Sequence, residues 1–180
     1  MRMGKHPMAY RLLCASSLAL LWLTAPAVLA DPSPGFGLYA GPVASSYKAV
    51  YGTSHGIAFA GDAQFVYDAN WTLSPYIAFT SEQSTSSVHV VELTGGLQAR
   101  YWLGSWFLGG QYLAHSTLLT RSGSTISGDV GPSLGLVTGW EGANHWSLVL
   151  EANFLEGNGF AWTTGPNRSD VRLLIGYHWY

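Results

Sequence analysis

Side chains that could do chemistry are sparse in this sequence, and three of them are the types that make a nucleophilic hydrolase site. His115 and Ser116 stand side by side, and Glu151 supplies an acid elsewhere. In a Ser/His/acid site the imidazole takes the hydroxyl proton and the acid orients the imidazole, so the side chains must meet. Adjacent residues on a regular strand point to opposite faces, so this spacing argues against a working triad. His55, His89 and His145 show no metal-ligand spacing, and no metal or cofactor is expected. Gly95-Gly96 and Gly109-Gly110 do not open helices, which removes support for a phosphate-binding loop. What remains is a scattered ionisable set: Asp62, Glu92, Arg100, Glu151, Asp170, Arg172 and His178.

The composition narrows what could position that set. Of 180 residues, 48% are apolar, 14% aromatic and only 10% charged. Soluble domains carry about 25% charged residues. Disordered chains are rich in charge and poor in aromatics, so both classes fit badly. A formal charge of −2 gives no basic surface for nucleic acid. Residues 1–30 read as a secretory signal peptide: Arg2, Lys5 and Arg11 lead an apolar run from Leu12 to Leu23, and Val28-Leu29-Ala30 offers small residues for cleavage. Cys14, the only cysteine, lies in that segment, so no disulfide is expected in the single domain at 31–180. Beyond residue 30 all 10 acids remain, but Lys48, Arg100, Arg121, Arg168 and Arg172 are the only Lys and Arg.

Alternation of period two recurs along 31–180, the signature of strands with unlike faces. Phe65 and Ile57 alternate with Asp62 and Gln64; Leu73, Ile77 and Phe79 with Thr72, Ser74 and Tyr76; Leu93, Leu97 and Ala99 with Glu92, Gln98 and Arg100. Leu148 and Leu150 alternate with Ser147 and Glu151, and Leu173, Ile175 and Trp179 with Arg172 and His178. Strands at about 35–43, 106–115 and 129–140 are more glycine-rich and complete a count of eight. Links near residues 68–71, 103–105 and 141–145 are short. Those at about 44–56, 81–87, 116–128 and 155–168 are longer and rich in Ser, Thr, Gly and Asn. Strict short/long alternation puts every long loop at one end of an up-and-down sheet, the layout of outer-membrane barrels.

The aromatics fall near the short turns and the C-terminus: Tyr67, Trp71, Tyr101, Trp102, Trp106, Trp140, Trp146, Tyr177, Trp179 and Tyr180. They are expected to form one ring at a membrane interface, where amphipathic rings suit the headgroup level. Tyr47, Tyr51, Phe79, Phe154, Phe160 and Trp162 would make a looser ring at the other end. A sheet spanning hydrocarbon must close on itself so that no backbone group is left unpaired. Ionised groups in the span are costly unless paired and turned inward. The ionisable set should therefore fill the lumen, with Glu151 pairing Arg172, and Asp68 or Glu141 serving Arg100. Eight strands enclose room for side chains only, so an open pore is not expected.

On these residues (Val28–Ala30, the Tyr67–Leu73 turn and the terminal Leu173–Tyr180 strand) the chain resembles the small outer-membrane barrels of Gram-negative bacteria, the group that includes the attachment-invasion and opacity proteins. The resemblance implies an eight-stranded antiparallel transmembrane β-barrel in the outer membrane. It also implies handling by the barrel-assembly machinery, which reads a C-terminal aromatic such as Tyr180. Outer-membrane lipids are the expected surroundings. An extracellular partner of unstated identity would meet loops 44–56, 116–128 and 155–168, since binding residues concentrate on loops held by a rigid scaffold. Two other readings stay open. Lipid-A deacylases of the outer membrane resemble this chain in strand number, but their His and Ser are separated by one residue, unlike His115-Ser116. A soluble lipocalin-like carrier would reverse the faces, and would need more surface charge than the polar faces supply.

Overall fold

The computed structural model describes residues 32–47, 52–156 and 168–180; the segment 1–30, read above as a signal peptide, lies outside them. Eight strands follow one another: β1 (Gly35–Tyr47), β2 (Gly52–Val66), β3 (Trp71–Ser84), β4 (His89–Leu103), β5 (Trp106–Arg121), β6 (Ser124–Glu141), β7 (Trp146–Glu156) and β8 (Arg168–Trp179). Each pairs antiparallel with its sequence neighbours, and β8 returns to β1 to close the barrel. The closing register sets Phe36 opposite Trp179 and Val43 opposite Arg172. No sheet edge is left at the seam, which is what a sheet in hydrocarbon requires.

Turn chemistry explains the tight ends. The Asp68 carboxylate accepts the backbone N–H groups of Asn70 (2.8 Å) and Trp71 (2.9 Å), folding β2 back onto β3. Gly104 takes a left-handed φ of 64° between β4 and β5, a conformation that costs glycine little. The clear alternation of β3 becomes a strict alternation of faces, with Thr72, Ser74, Tyr76, Ala78 and Thr80 inside and Trp71, Leu73, Ile77 and Phe79 outside. The outward apolar run Trp71–Phe79 gives way to Ser81 and Gln83 toward the far end. Its length matches the about 9–11 residues that a tilted strand needs to cross a bilayer.

The long-loop end differs from the expectation. The segment 116–128 is not a loop: β5 continues to Arg121 and β6 starts at Ser124, leaving Ser122 and Gly123 as the turn. Ser/Thr/Gly composition read as loop here because a strand beyond the apolar band has no need of a greasy face. Threonine itself favours extended backbone. Loop 44–56 shrinks in the same way, since β1 reaches Tyr47 and β2 begins at Gly52, and loop 155–168 yields its first residues to β7. Residues 48–51 and 157–167 lie outside the described residues, as do Tyr51, Phe160, Trp162 and the Tyr47 side chain of the looser ring.

Inside, apolar and polar side chains share the space. Tyr39, Val43, Ala58, Ala60, Tyr76, Ala78, Trp102, Phe107, Leu113, Val137, Val149 and Leu174 form one buried cluster. Val88, Val90 and Leu119 form a second near the long end of β4 and β5. Gly176 stands opposite Tyr39 across the seam, and a β-carbon there would collide with the Tyr39 ring. Gly176→Val should therefore force Tyr39 aside and destabilise the barrel by about 1–3 kcal/mol. Chemical unfolding of the detergent-held protein checks this, and an unchanged midpoint would contradict it.

Candidate functional site: the charged lumen

The inward parity of four strands gathers seven ionisable residues into two linked groups. Asp62 (β2), Glu92 and Arg100 (β4), Glu151 (β7), and Asp170, Arg172 and His178 (β8) all face the lumen and are buried. Their exposure never exceeds 6%, so each charge must find its partner within the protein.

The first group centres on Asp62. Arg100 donates from Nη2 to Asp62 at 2.5 Å and to Gln98 Oε1 at 2.6 Å, with its guanidinium 4.9 Å above the Phe107 ring. His178 Nε2 lies 3.2 Å from the same carboxylate. This differs from the expectation for Arg100. Asp68 sits on the exposed turn holding backbone N–H groups, and Glu141 is taken by His178 and Tyr180. Nearness of Asp68 and Glu141 to the turn end suggested them; Asp62 shares the inward face with Arg100 from two strands away, a contact only the barrel's curvature creates.

The second group centres on Arg172. It meets Glu92 at 3.2 Å, Asp170 at 3.1 Å and Glu151 at 3.7 Å, and Glu151 stands opposite it in the β7–β8 register. Glu151 also accepts from the Tyr76 hydroxyl at 2.7 Å and from Gln98 at 3.1 Å, while Glu92 accepts from Thr94 and Thr117 at 3.0 Å each. An amide chain ties the groups together. Gln98 donates to Gln111 at 2.6 Å, Gln111 to Asn153 at 2.8 Å, and Asn153 to Asp170 at 3.0 Å. Gln98 thus accepts from Arg100 and donates toward Glu151, joining both arginines in one network.

Several members went unsingled in the sequence. Tyr76, Gln98, Gln111 and Asn153 all sit on the inward parity, and Gln98 is two residues from Arg100, so parity would have found it. Tyr39 was hidden by the glycine-rich first strand.

The hydrolase candidates do not assemble. His115 is buried on the inner face, Ser116 is exposed on the outer face, and Glu151 is held by Tyr76, Gln98 and Arg172. Strand parity alone separates the hydroxyl from the imidazole by the thickness of the wall. Among the described residues, no group of three or more His, Cys, Asp or Glu has the arrangement to hold a metal ion.

The aromatic residues divide by the same rule. Tyr67, Trp71, Trp146 and Trp179 are exposed on the outer wall near the short turns. Tyr101 packs at a tilt of 58° against Trp71 (centroids 5.1 Å apart), and Tyr177 lies between Trp146 and Trp179 at 5.6 and 4.9 Å. Trp106 and Trp140 stand opposite each other, half-buried, on β5 and β6. Trp102 does not belong to this ring. It points into the lumen, 2% exposed, with its indole N–H donating to Thr72 at 3.0 Å and its ring against Phe107. Tyr101 and Trp102 are consecutive, so only one of them can face out. Trp179 and Tyr180 divide likewise: Trp179 ends the outer face of β8, and the Tyr180 phenol turns in to donate to Glu141. Partial burial and that hydrogen bond push the Tyr180 phenol above its ordinary value, so it remains a donor.

At the level of sequence, no known family's profile and no curated protein matches the chain. Solved structures do match. Neisserial surface protein A superposes with a TM-score of 0.55 at 15% identity, over 79% of this chain and 95% of its own. Ail, the attachment invasion locus protein of Yersinia pestis, gives 0.55 at 9% identity over 82% and 99%. The outer membrane protein OprG of Pseudomonas aeruginosa gives 0.51 at 10% identity over 83% and 98%. The chain therefore has the fold of the small eight-stranded outer-membrane barrels, as the sequence resemblance implied.

Among the described residues Arg172 is the most heavily partnered cation, and removing one member of a buried charge group costs about 3–5 kcal/mol because the others lose their compensation. Arg172→Met should lower the unfolding midpoint accordingly or prevent folding. A loss below about 1 kcal/mol, the range of an exposed ion pair, would show that the group is not buried as described.

Proposed function

We propose that the protein is an integral outer-membrane barrel of a Gram-negative envelope, without catalytic activity, delivered by the removable segment 1–30. The observation that supports this best is the division of faces. Phe36, Leu38, Ile57, Phe59, Phe65, Ile77, Leu97, Leu108, Leu136 and Ile175 are exposed on the outer wall, while Arg100, Arg172 and their carboxylates are buried within. A water-soluble barrel would place these sets the other way round, because each exposed apolar side chain would forfeit about 1.5–3 kcal/mol of burial. The polar network and the two apolar clusters fill the lumen, which favours a scaffold over a conduit.

The working surface in this reading is the long end. The β5–β6 hairpin carries Arg121 at its exposed tip, and β6 extends beyond its pairing with β7, which ends at Ser133 and Glu156. Tall and held by a rigid barrel, this hairpin is the element suited to meet a partner outside the membrane.

The protein should leave membranes only with detergent, and should migrate differently on gels before and after heating, since a closed barrel resists unfolding. Trypsin added to intact cells should cut after Arg121; the short turns carry no Lys or Arg and offer trypsin no site. Recovery in buffer without detergent would contradict the reading, and so would cleavage at Arg121 only after breaching. Unchanged lipid-A masses on expression are expected, and a lost acyl chain would overturn the non-catalytic assignment.

A further inference from the structure

At the short-turn end of the lumen, one imidazole is held between two carboxylates. His178 Nδ1 lies 2.5 Å from Glu141 Oε2 on β6, and Nε2 lies 3.2 Å from Asp62 Oδ1 on β2. The groups facing the ring come from every side. Tyr39 of β1 sets its hydroxyl 2.6 Å from Nε2 and 3.3 Å from both Asp62 oxygens. Arg100 of β4 binds Asp62 at 2.5 Å, and Ser147 of β7 donates to Glu141 at 3.3 Å. Tyr180, beyond β8, donates to Glu141 and lies 3.2 Å from Nδ1.

We infer that His178 is a buried imidazolium, and that its proton is a latch tying the closing strand β8 to β2 and β6 across the lumen. β2 and β6 each stand two strands from β8, so no backbone ladder makes this connection. Donor geometry supports the charged form. A neutral imidazole has one donor and one acceptor, whereas only the imidazolium donates from both nitrogens, and an ionised carboxylate faces each nitrogen here. Charge balance agrees: Asp62 and Glu141 supply two negative charges, Arg100 one positive, and His178 the second. A neutral ring could accept from Tyr39 at Nε2 while donating to Glu141. That arrangement sets the Nε2 lone pair against Asp62 and leaves one buried carboxylate uncompensated.

The latch is sensitive to pH in one direction. Histidine in an unfolded chain releases its proton near pH ~6.5. The contribution to stability is therefore complete in mild acid and is lost as the medium becomes alkaline.

The experiment uses the full chain folded in detergent, with the histidine rings labelled with nitrogen-15. At pH 7 both ring nitrogens of His178 should be protonated, and Tyr39→Phe should leave them so. The thermal midpoint should fall between pH 6 and pH 9, while His178→Gln should lie lower at pH 6 and change little over that range. One unprotonated ring nitrogen at pH 7 would overturn the inference in favour of the neutral ring. An equal pH dependence in His178→Gln would overturn the latch. If that variant does not fold, the ring spectrum of the unsubstituted protein decides the question alone.

Discussion

Every backbone polar group in hydrocarbon needs a partner, and a barrel meets this need only if its first and last strands find each other. The pairing of β1 with β8, from Phe36–Trp179 to Tyr47–Arg168, is therefore the contact on which the architecture rests. Its side chains follow from it. Once closure fixes an inside and an outside, each alternate residue is committed to one of them. Two residues then explain the contrast at the seam: Trp179 must face out with Ile175 and Leu173, and His178 must face in with Arg172 and Leu174.

Closure also sets what the interior can be. Eight strands leave a bore about wide enough for side chains, and this sequence fills it with amides, hydroxyls and two arginines as well as apolar groups. Burying ions is expensive and is tolerated when every ion is paired and every amide bonded. The run from Arg100 through Gln98, Gln111 and Asn153 to Asp170 meets that condition over four strands. Such a network gives the interior one well-defined arrangement. That suits a barrel whose outer wall, in the proposed setting, gains nothing from lipid to specify register.

Much of this was legible beforehand because parity is a strong signal. The alternation in β2, β3, β4, β7 and β8 was enough to place Asp62, Arg100, Glu151 and Arg172 on one face and Phe65, Leu73 and Leu150 on the other. Two kinds of feature were not legible. Partners two strands apart, such as Asp62 with Arg100, depend on barrel curvature, which no local pattern encodes. Strand ends beyond the apolar band, such as Ser116–Arg121, lose their alternation of residue type because Ser and Thr lie on both faces, and Leu118 outside is followed by Leu119 inside, packed with Val88 and Val90. Trp102 departs from its expected ring for a third reason: distance from a turn groups it with its neighbours, whereas its parity with Arg100 and Gln98 assigns it to the interior.

Intrinsic fluorescence in brominated-lipid vesicles tests the division of faces most directly. In variants retaining a single tryptophan, with the others replaced by phenylalanine, the lipid bromines should quench Trp71 and Trp146 strongly. Trp102 should stay bright, screened by the wall of the barrel. Equal quenching of Trp102 and Trp71, or no quenching of any of them, would contradict a barrel that shows its apolar wall to lipid and hides its charges within.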